Sequence, residues 1–284
     1  MALTALMAAV VVAPAFAQSV DIAGEWGRDN QEDQDHRGPG AELGDYTGIP
    51  LNAAARRKAE TWDASVLSQP EQQAKPHPAQ YSMRGPQPNL RIDKVVHPVT
   101  GQLIAYTLEG FFGRADRVIW MDGRPHPSRY AEHTFAGFST GEWVDNKLKV
   151  TTTHMKTAFV NRNGPPTSYR GVMVEYFTRH GTLLSHISFV DDPVYLDEPM
   201  VRTSEFSQRP GQHVGAAIPF ETVDELGDKA TGWVPSWPIG TRHEEFANRF
   251  GLPFEVTRGG AETLYPEYQK TIEALRRQAP SARR

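Results

Sequence analysis

Between residues 90 and 208 the sequence is a succession of short runs rich in β-branched and aromatic residues, each closed by turn-forming residues. This pattern constrains the fold more than any other feature. The runs cover 90–97, 102–112, 115–121, 134–144, 147–155, 171–179, 182–190 and 200–208, and residues 20–26 add an opening strand. Turn signals such as Pro98-Val99-Thr100-Gly101, Asp145-Asn146 and His180-Gly181 stand between them. The gaps are too short for helical crossovers, so neighbours are expected to pair antiparallel as hairpins. About nine strands in a meander either close on themselves or stack as a sandwich. Closure removes exposed edges, so the expected fold is mainly β: an antiparallel β-barrel with a few peripheral helices.

The flanks carry the remaining elements. Residues 1–17 hold no charged side chain and end Ala15-Phe16-Ala17, the apolar run and small-residue cleavage site of a secretory signal peptide, although no Lys or Arg precedes the run. The mature chain is expected to begin near Gln18 and to be periplasmic or secreted. Residues 18–284 are expected to form one barrel domain, with a helical and loop-rich extension over about 209–284. Residues 51–66 read as a helix. Pro70, Pro76, Pro78, Pro86 and Pro88 argue for an extended crossing over the surface through residues 69–90. In the extension, 241–250 reads as a helix with Thr241 as N-cap and Glu244 as its capping-box partner, and 266–277 as a second helix.

Composition narrows the chemistry. There is no cysteine, which removes disulfides, thiolate nucleophiles and Cys-ligated metals together. Net charge is −4 and no basic block occurs, so nucleic acid is not an expected partner. No segment is apolar enough for a membrane span. No phosphate-binding loop, dinucleotide fingerprint or serine-hydrolase elbow is present, and no organic cofactor and no metal is expected.

The hairpins point to candidate site residues. With Asp145-Asn146 as the loop, Trp143 faces Leu148, Glu142 faces Lys149, Gly141 faces Val150, Ser139 faces Thr152 and Gly137 faces His154. Trp143, Leu148, Val150, Thr152 and His154 then share the inward face, and the small residues opposite either leave room for a ligand or relieve strain where the sheet coils. With His180-Gly181 as the second loop, Glu175 faces His186. This pair is either an oriented acid/base dyad or an exposed ion pair, since the opposite face (Val172, Val174, Tyr176, Ile187, Phe189) is the more apolar. The segment 117–127 ends a strand at Met121 and places Asp122, Arg124 and His126 at a barrel rim, as a functional loop or as a structural turn with Asp122 capping backbone amides. Asp191-Asp192 is either a cation site or a solvated turn. A zinc site from His126, His133 and His154 lacks the usual ligand spacing.

Several of these motifs resemble a group of uncharacterised secreted bacterial proteins that carry Met121-Asp122-Gly123-Arg124-Pro125-His126-Pro127. Similar too are Gly137-Phe138-Ser139-Thr140-Gly141-Glu142-Trp143, Thr152-Thr153-His154, Asp191-Asp192-Pro193 and, in the tail, Arg258-Gly259-Gly260 with Tyr265-Pro266-Glu267-Tyr268. The resemblance covers well over half the chain. It implies a lipocalin-like barrel and no particular chemistry.

Three functional readings follow. The first is a cofactor-independent acid/base enzyme of lyase, isomerase, hydratase or cyclase type, acting on a small, largely apolar or aromatic molecule in the barrel. His154, Glu175, His186, Asp122 and His126 are its candidate catalytic residues. Trp120, Arg124, Phe135, Ser139, Trp143, Thr152 and Tyr176 are its candidate substrate contacts. The second is a non-catalytic small-molecule binding protein. The third is a metal-dependent hydrolase.

Overall fold

The computed structural model describes residues 21–29, 41–73, 75–83, 89–110, 116–212, 222–223, 225, 227–230 and 232–278. The signal-peptide segment 1–17 and the start near Gln18 lie outside them. The strands are β1 (Gly24–Arg28), β2 (Asn89–Val96), β3 (Leu103–Gly110), β4 (Arg117–Trp120), β5 (Phe138–Val144), β6 (Lys147–Thr153), β7 (Ala158–Phe159), β8 (Pro166–Thr167), β9 (Val172–His180), β10 (Leu183–Asp191) and β11 (Met200–Gln208). All but the short β7–β8 pair form one sheet in the order β1-β11-β10-β9-β6-β5-β4-β3-β2, closed because β1 also pairs with β2. The expected lipocalin-like barrel is what forms. Among the described residues no helix is long and apolar enough to cross a membrane.

One pairing departs from the expected run of hairpins. Strands β4 and β5 are parallel, with Ile119 opposite Ser139 and Trp120 opposite Thr140. The connection through residues 121–137 is long enough to carry the chain back along the barrel. It lies against the outside, where His126 bonds the hydroxyls of Thr140 (2.8 Å) and Thr153 (2.7 Å).

Alternation of side chains sets the interior. On β10 the buried residues are Leu184, His186, Ser188 and Val190; on β9 they are Met173, Glu175 and Phe177. At the end where the β9–β10 and β5–β6 hairpins turn, the barrel is filled by Trp26, Leu90, Ile92, Ile119, Leu148, Val150, Phe177, Leu184 and Phe206. A second apolar cluster lies at the other end, where Met155, Met173, Val190 and Met200 meet helix Ala53–Glu60 through Ala55 and Ala59. That helix is shorter than expected. Asn52 caps its start, accepting from the Ala55 amide at 3.0 Å, and a 3-10 turn over Ala64–Ser68 takes up the remainder. The C-terminal extension docks on its end, with His243 Nε2 on the Glu60 carbonyl at 2.9 Å and Arg258 on the Glu60 carboxylate.

Two local expectations are corrected. Over the described residues 69–73 and 75–83 the proline-rich stretch is no extended surface crossing: it forms short helices Pro70–Gln73 and Ala79–Ser82, and Ala79, Gln80, Tyr81 and Met83 are buried, while Pro86 and Pro88 lie outside the described residues. The helix expected over 241–250 is confined to Glu245–Arg249 and has no side-chain cap; Thr241 Oγ1 donates to the Pro238 carbonyl, and Glu244 accepts from Arg242. The last helix is Tyr268–Gln278.

The sheet is not equally complete all round. Strand β11 pairs with β10 along nearly its whole length, but with β1 only through Phe206, Ser207 and Gln208. Residues 79–83 cover the stretch that no strand pairs on that side. Arg202 Nη1 donates to the Gln80 carbonyl (3.3 Å), and Ser204 Oγ (3.0 Å) and Arg28 Nη1 (3.4 Å) donate to that of Met83. Beside this cover lies the turn through Tyr46 and Ile49, held by Gly259. That residue has φ +70°, and a Cβ there would stand 2.4 Å from the Tyr46 carbonyl oxygen and 2.8 Å from that of Ile49. Gly259→Ala is therefore expected to lower stability by about 1–3 kcal/mol. Gly48→Ala, with nothing within 4 Å of the new methyl, carries only the cost of its left-handed backbone. Urea unfolding of the two variants measures the difference.

Candidate functional site

A band of polar side chains crosses the barrel interior between the two apolar clusters. It starts at Arg117, the first residue of β4, which points inward with Ile119 and is 3% exposed. Its guanidinium lies over β5 and β6, donating from Nε to Ser139 Oγ (2.9 Å) and from Nη2 to Thr152 Oγ1 (2.7 Å). It ends on Glu175 of β9, bonding Oε1 from Nη1 (3.1 Å) and Oε2 from Nη2. Glu175 Oε1 also bonds His186 Nε2 of β10 at 3.0 Å. Five neighbouring strands thus contribute one side chain each to a continuous hydrogen-bonded row.

The β9–β10 register explains the contact between Glu175 and His186. The loop is Gly181-Thr182, because His180 pairs with Leu183, so the ladder is displaced two residues from the expected alignment. A slip of two preserves the faces. Glu175 stands opposite Ser188 and His186 opposite Phe177, and the dyad is diagonal instead of direct. The more apolar face proves to be the outer one: Ile187 and Phe189 are exposed, whereas Glu175 and His186 are completely buried.

Burial by itself raises the Glu175 pKa. The Arg117 charge and the hydrogen bonds from His186 and Arg117 outweigh it, and hold the carboxyl at about 2. An ionised carboxylate can only accept, so in the neutral imidazole Nε2 of His186 carries the proton and Nδ1 holds the free lone pair. That Nδ1 has no hydrogen-bond partner.

His186 and Glu175 line a cavity of about 270 Å³. It lies beside the unpaired stretch of β11, under Gln80 and Met83 and the turn through Thr47 and Ile49. Ser188, Ser204, Arg202 and Asn161 add hydrogen-bonding groups to its wall.

The cavity is not where the glycines of β5 suggested. The position beside Gly141 is occupied: a Cβ there would meet Met121 Sδ at 2.5 Å and Ile119 Cγ2 at 2.9 Å. Ser139 is small because Arg117 lies across it. His154 does not point inward. It sits just past the end of β6 with φ 57°, and this left-handed backbone breaks the alternation. Its Nδ1 bonds Thr153 Oγ1 (2.8 Å) and its Nε2 the Ser128 carbonyl (2.9 Å), on the outside near His126.

Of the remaining candidates, all but Trp143 lie outside the interior. Arg124 and Asp122 pair with each other, Nη2 to Oδ2 at 2.5 Å, and the Arg124 guanidinium lies 3.4 Å above the Trp120 ring. His126 is spent on two threonine hydroxyls, and burial, with the neighbouring His154, lowers its pKa. Tyr176 meets Phe189 on the outer wall, and Trp143 is half-buried against the apolar end of the barrel. Phe135 borders a separate outer cavity of about 610 Å³, with Trp62 and Phe159. Of the twelve candidate residues, Glu175, His186, Ser139 and Thr152 are brought together. His126, His133 and His154 gather on the outside, with the His133 and His154 rings 5.1 Å apart. Among the described residues no group of three His, Cys, Asp or Glu is placed to hold a metal ion. Asp192 is buried and accepts from Ser168 N (2.5 Å), Ser168 Oγ (2.7 Å) and Val194 N (3.0 Å), which makes it the brace of a turn.

Sequence reasoning missed Arg117 and Gln80. A charged residue two positions from Ile119 in a β run was a legible sign for the first. Gln80, inside the proline-rich stretch, offered none. Compared with protein-family models, with curated proteins and with solved structures, the chain matches none. Residue roles therefore rest on geometry.

Removing one member of a buried ion pair strands the other. Arg117→Met is expected to cost about 3–5 kcal/mol, and Arg117→Met/Glu175→Gln clearly less. Because the folded Glu175 pKa lies below its ordinary 4.5, its contribution is complete above that value and is lost as pH falls towards about 2. Urea midpoints at pH 7 and pH 3 should lie closer together in Glu175→Gln than in the wild type.

Proposed function

We propose that the chain is a cofactor-independent acid/base enzyme in which His186 moves a proton on a small molecule held in the 270 Å³ cavity. One observation carries this reading. His186 is fixed by Glu175 through Nε2 and lines the cavity, while its Nδ1 is unpartnered. A base of this kind needs a fixed tautomer, a fixed ring and a free lone pair, and this arrangement supplies all three. Arg117 acts through Glu175 and keeps it ionised. The reactions open to such a site are isomerisation, elimination, hydration and cyclisation. The walls are more polar than an apolar or aromatic substrate requires, so the substrate carries hydrogen-bonding groups of its own, and at about 270 Å³ it is small.

The second reading is a binding protein using the same cavity. It is favoured by the mutual compensation of Arg117 and Glu175, which leaves His186 without a second proton-transfer group of matched strength beside it. Proton exchange separates the two. In D₂O, a panel of small cyclic ketones and cyclic imides is followed by NMR for exchange at the carbon next to the carbonyl. Exchange above background, reduced about 10²–10⁴-fold in His186→Gln, supports catalysis. Glutamine can still donate to Glu175, so the fold is retained. Binding with background exchange throughout would leave the carrier reading.

Export is part of the proposal and rests on residues 1–17. Mass spectrometry of protein recovered from an exporting host should show a chain beginning near Gln18. A full-length product retained in the cytoplasm would overturn it.

A further inference from the structure

The outer cavity of about 610 Å³ has no part in the proposed function, and its walls differ in kind from those of the interior. Three aromatic rings from separate parts of the chain border it: Trp62, just after the helix Ala53–Glu60, Phe135, in the connection that returns along the barrel, and Phe159 of β7. These rings are held in place. The Trp62 and Phe159 ring centres are 4.9 Å apart, with the planes at 60°. Trp62 also rests on the backbone of Gly164, where a Cβ would stand 2.8 Å from Trp62 Cγ. Phe135 is anchored through its carbonyl, which accepts from Ala79 N at 2.9 Å. Rings already fixed by their surroundings take up a flat apolar body without first losing freedom of their own.

The charges around these rings are one-sided. Among the described residues that line the cavity, Lys58, Lys75 and Arg162 stand against the single carboxylate of Asp63. Asp63 is already engaged, since its Oδ1 accepts from Ser65 N at 2.9 Å and caps the 3-10 turn. None of the three cations is in an ion pair with a described residue. The chain as a whole carries −4, so this positive excess is local. Charges of one sign beside apolar walls draw a counter-charge more strongly than the same charges on an open surface. We propose that the cavity binds a small aromatic carboxylate, its fused rings among Trp62, Phe135 and Phe159 and its carboxylate at the mouth, where Lys58 and Arg162 are exposed. A volume of about 610 Å³ exceeds what a single ring fills and lies within the usual range for ligand pockets. The site is separate from the one His186 lines, and the inference does not rest on the proposed function.

The probes are 2-naphthoate and its neutral isostere 2-naphthamide. Ligand-observed NMR titration of the full chain at low salt gives each affinity. The wild type should bind 2-naphthoate about five- to tenfold tighter than 2-naphthamide, and the preference should shrink as salt is raised to about 0.5 M. In Lys58→Gln/Arg162→Gln, which changes two exposed side chains and leaves the rings in place, the preference should fall to about twofold or less while 2-naphthamide binds as before. Failure of the wild type to bind either probe, or equal affinities for the two, overturns the proposal. So does a preference that is unchanged in the double variant. Location is read from the wild type itself: nuclear Overhauser contacts should join the naphthalene protons to the Trp62 indole, and their absence overturns the assignment to this cavity. His186→Gln should leave both affinities unchanged. A loss there would place the ligand in the interior cavity and overturn the proposal as well.

Discussion

The ion pair between Arg117 and Glu175 is the constraint on which the interior depends. A carboxylate with no exposure is tolerable only when its charge is met and its lone pairs are occupied. Arg117 meets the charge from three strands away, and the distance is bridged because Ser139 and Thr152 present short hydroxyls along its path. A larger residue at either position would displace the guanidinium. The same pair fixes the chemistry downstream, since an ionised Glu175 sets the tautomer of His186.

The position of the cavity follows from the incompleteness of one wall. If β1 paired along the whole of β11, that side of the barrel would be strand on strand. Instead β1 reaches only the last three residues of β11, and the short helix Ala79–Ser82 with Met83 covers the remainder through Arg28, Arg202 and Ser204. A cover made of a short helix carries side chains that a strand could not place at the same point. Gln80 is the consequence. The opposite wall, where Gly137 and Gly141 lie, is filled by Met121, Ile119, Thr152 and Met155.

The outer face carries most of the residues of the Met121–Pro127 motif, and there they do structural work. The connection must return along the barrel because β4 and β5 are parallel. His126 fastens it to Thr140 and Thr153, and Asp122 with Arg124 and Trp120 stiffens its start. Such polar fastening is what a long crossing over a sheet requires, since its own backbone has no ladder to join.

The sequence by itself determined the barrel, the number of its strands and which residues of β5, β6, β9 and β10 share a face. Those properties follow from a period of two and from turn chemistry, both local. It also placed Glu175 and His186 on one face, and a two-residue slip in register left that face unchanged. It could not decide which face was inside, because β9 and β10 are more apolar on the side that faces out. That choice was made by Arg117, from a strand far along the sheet, which stabilises a buried carboxylate. Nor could it foresee His154 turning out at φ 57°, the parallel pairing of β4 with β5, or Gln80 buried within the cover. Each depends on where distant segments come to rest against one another, and only the closed barrel settles that.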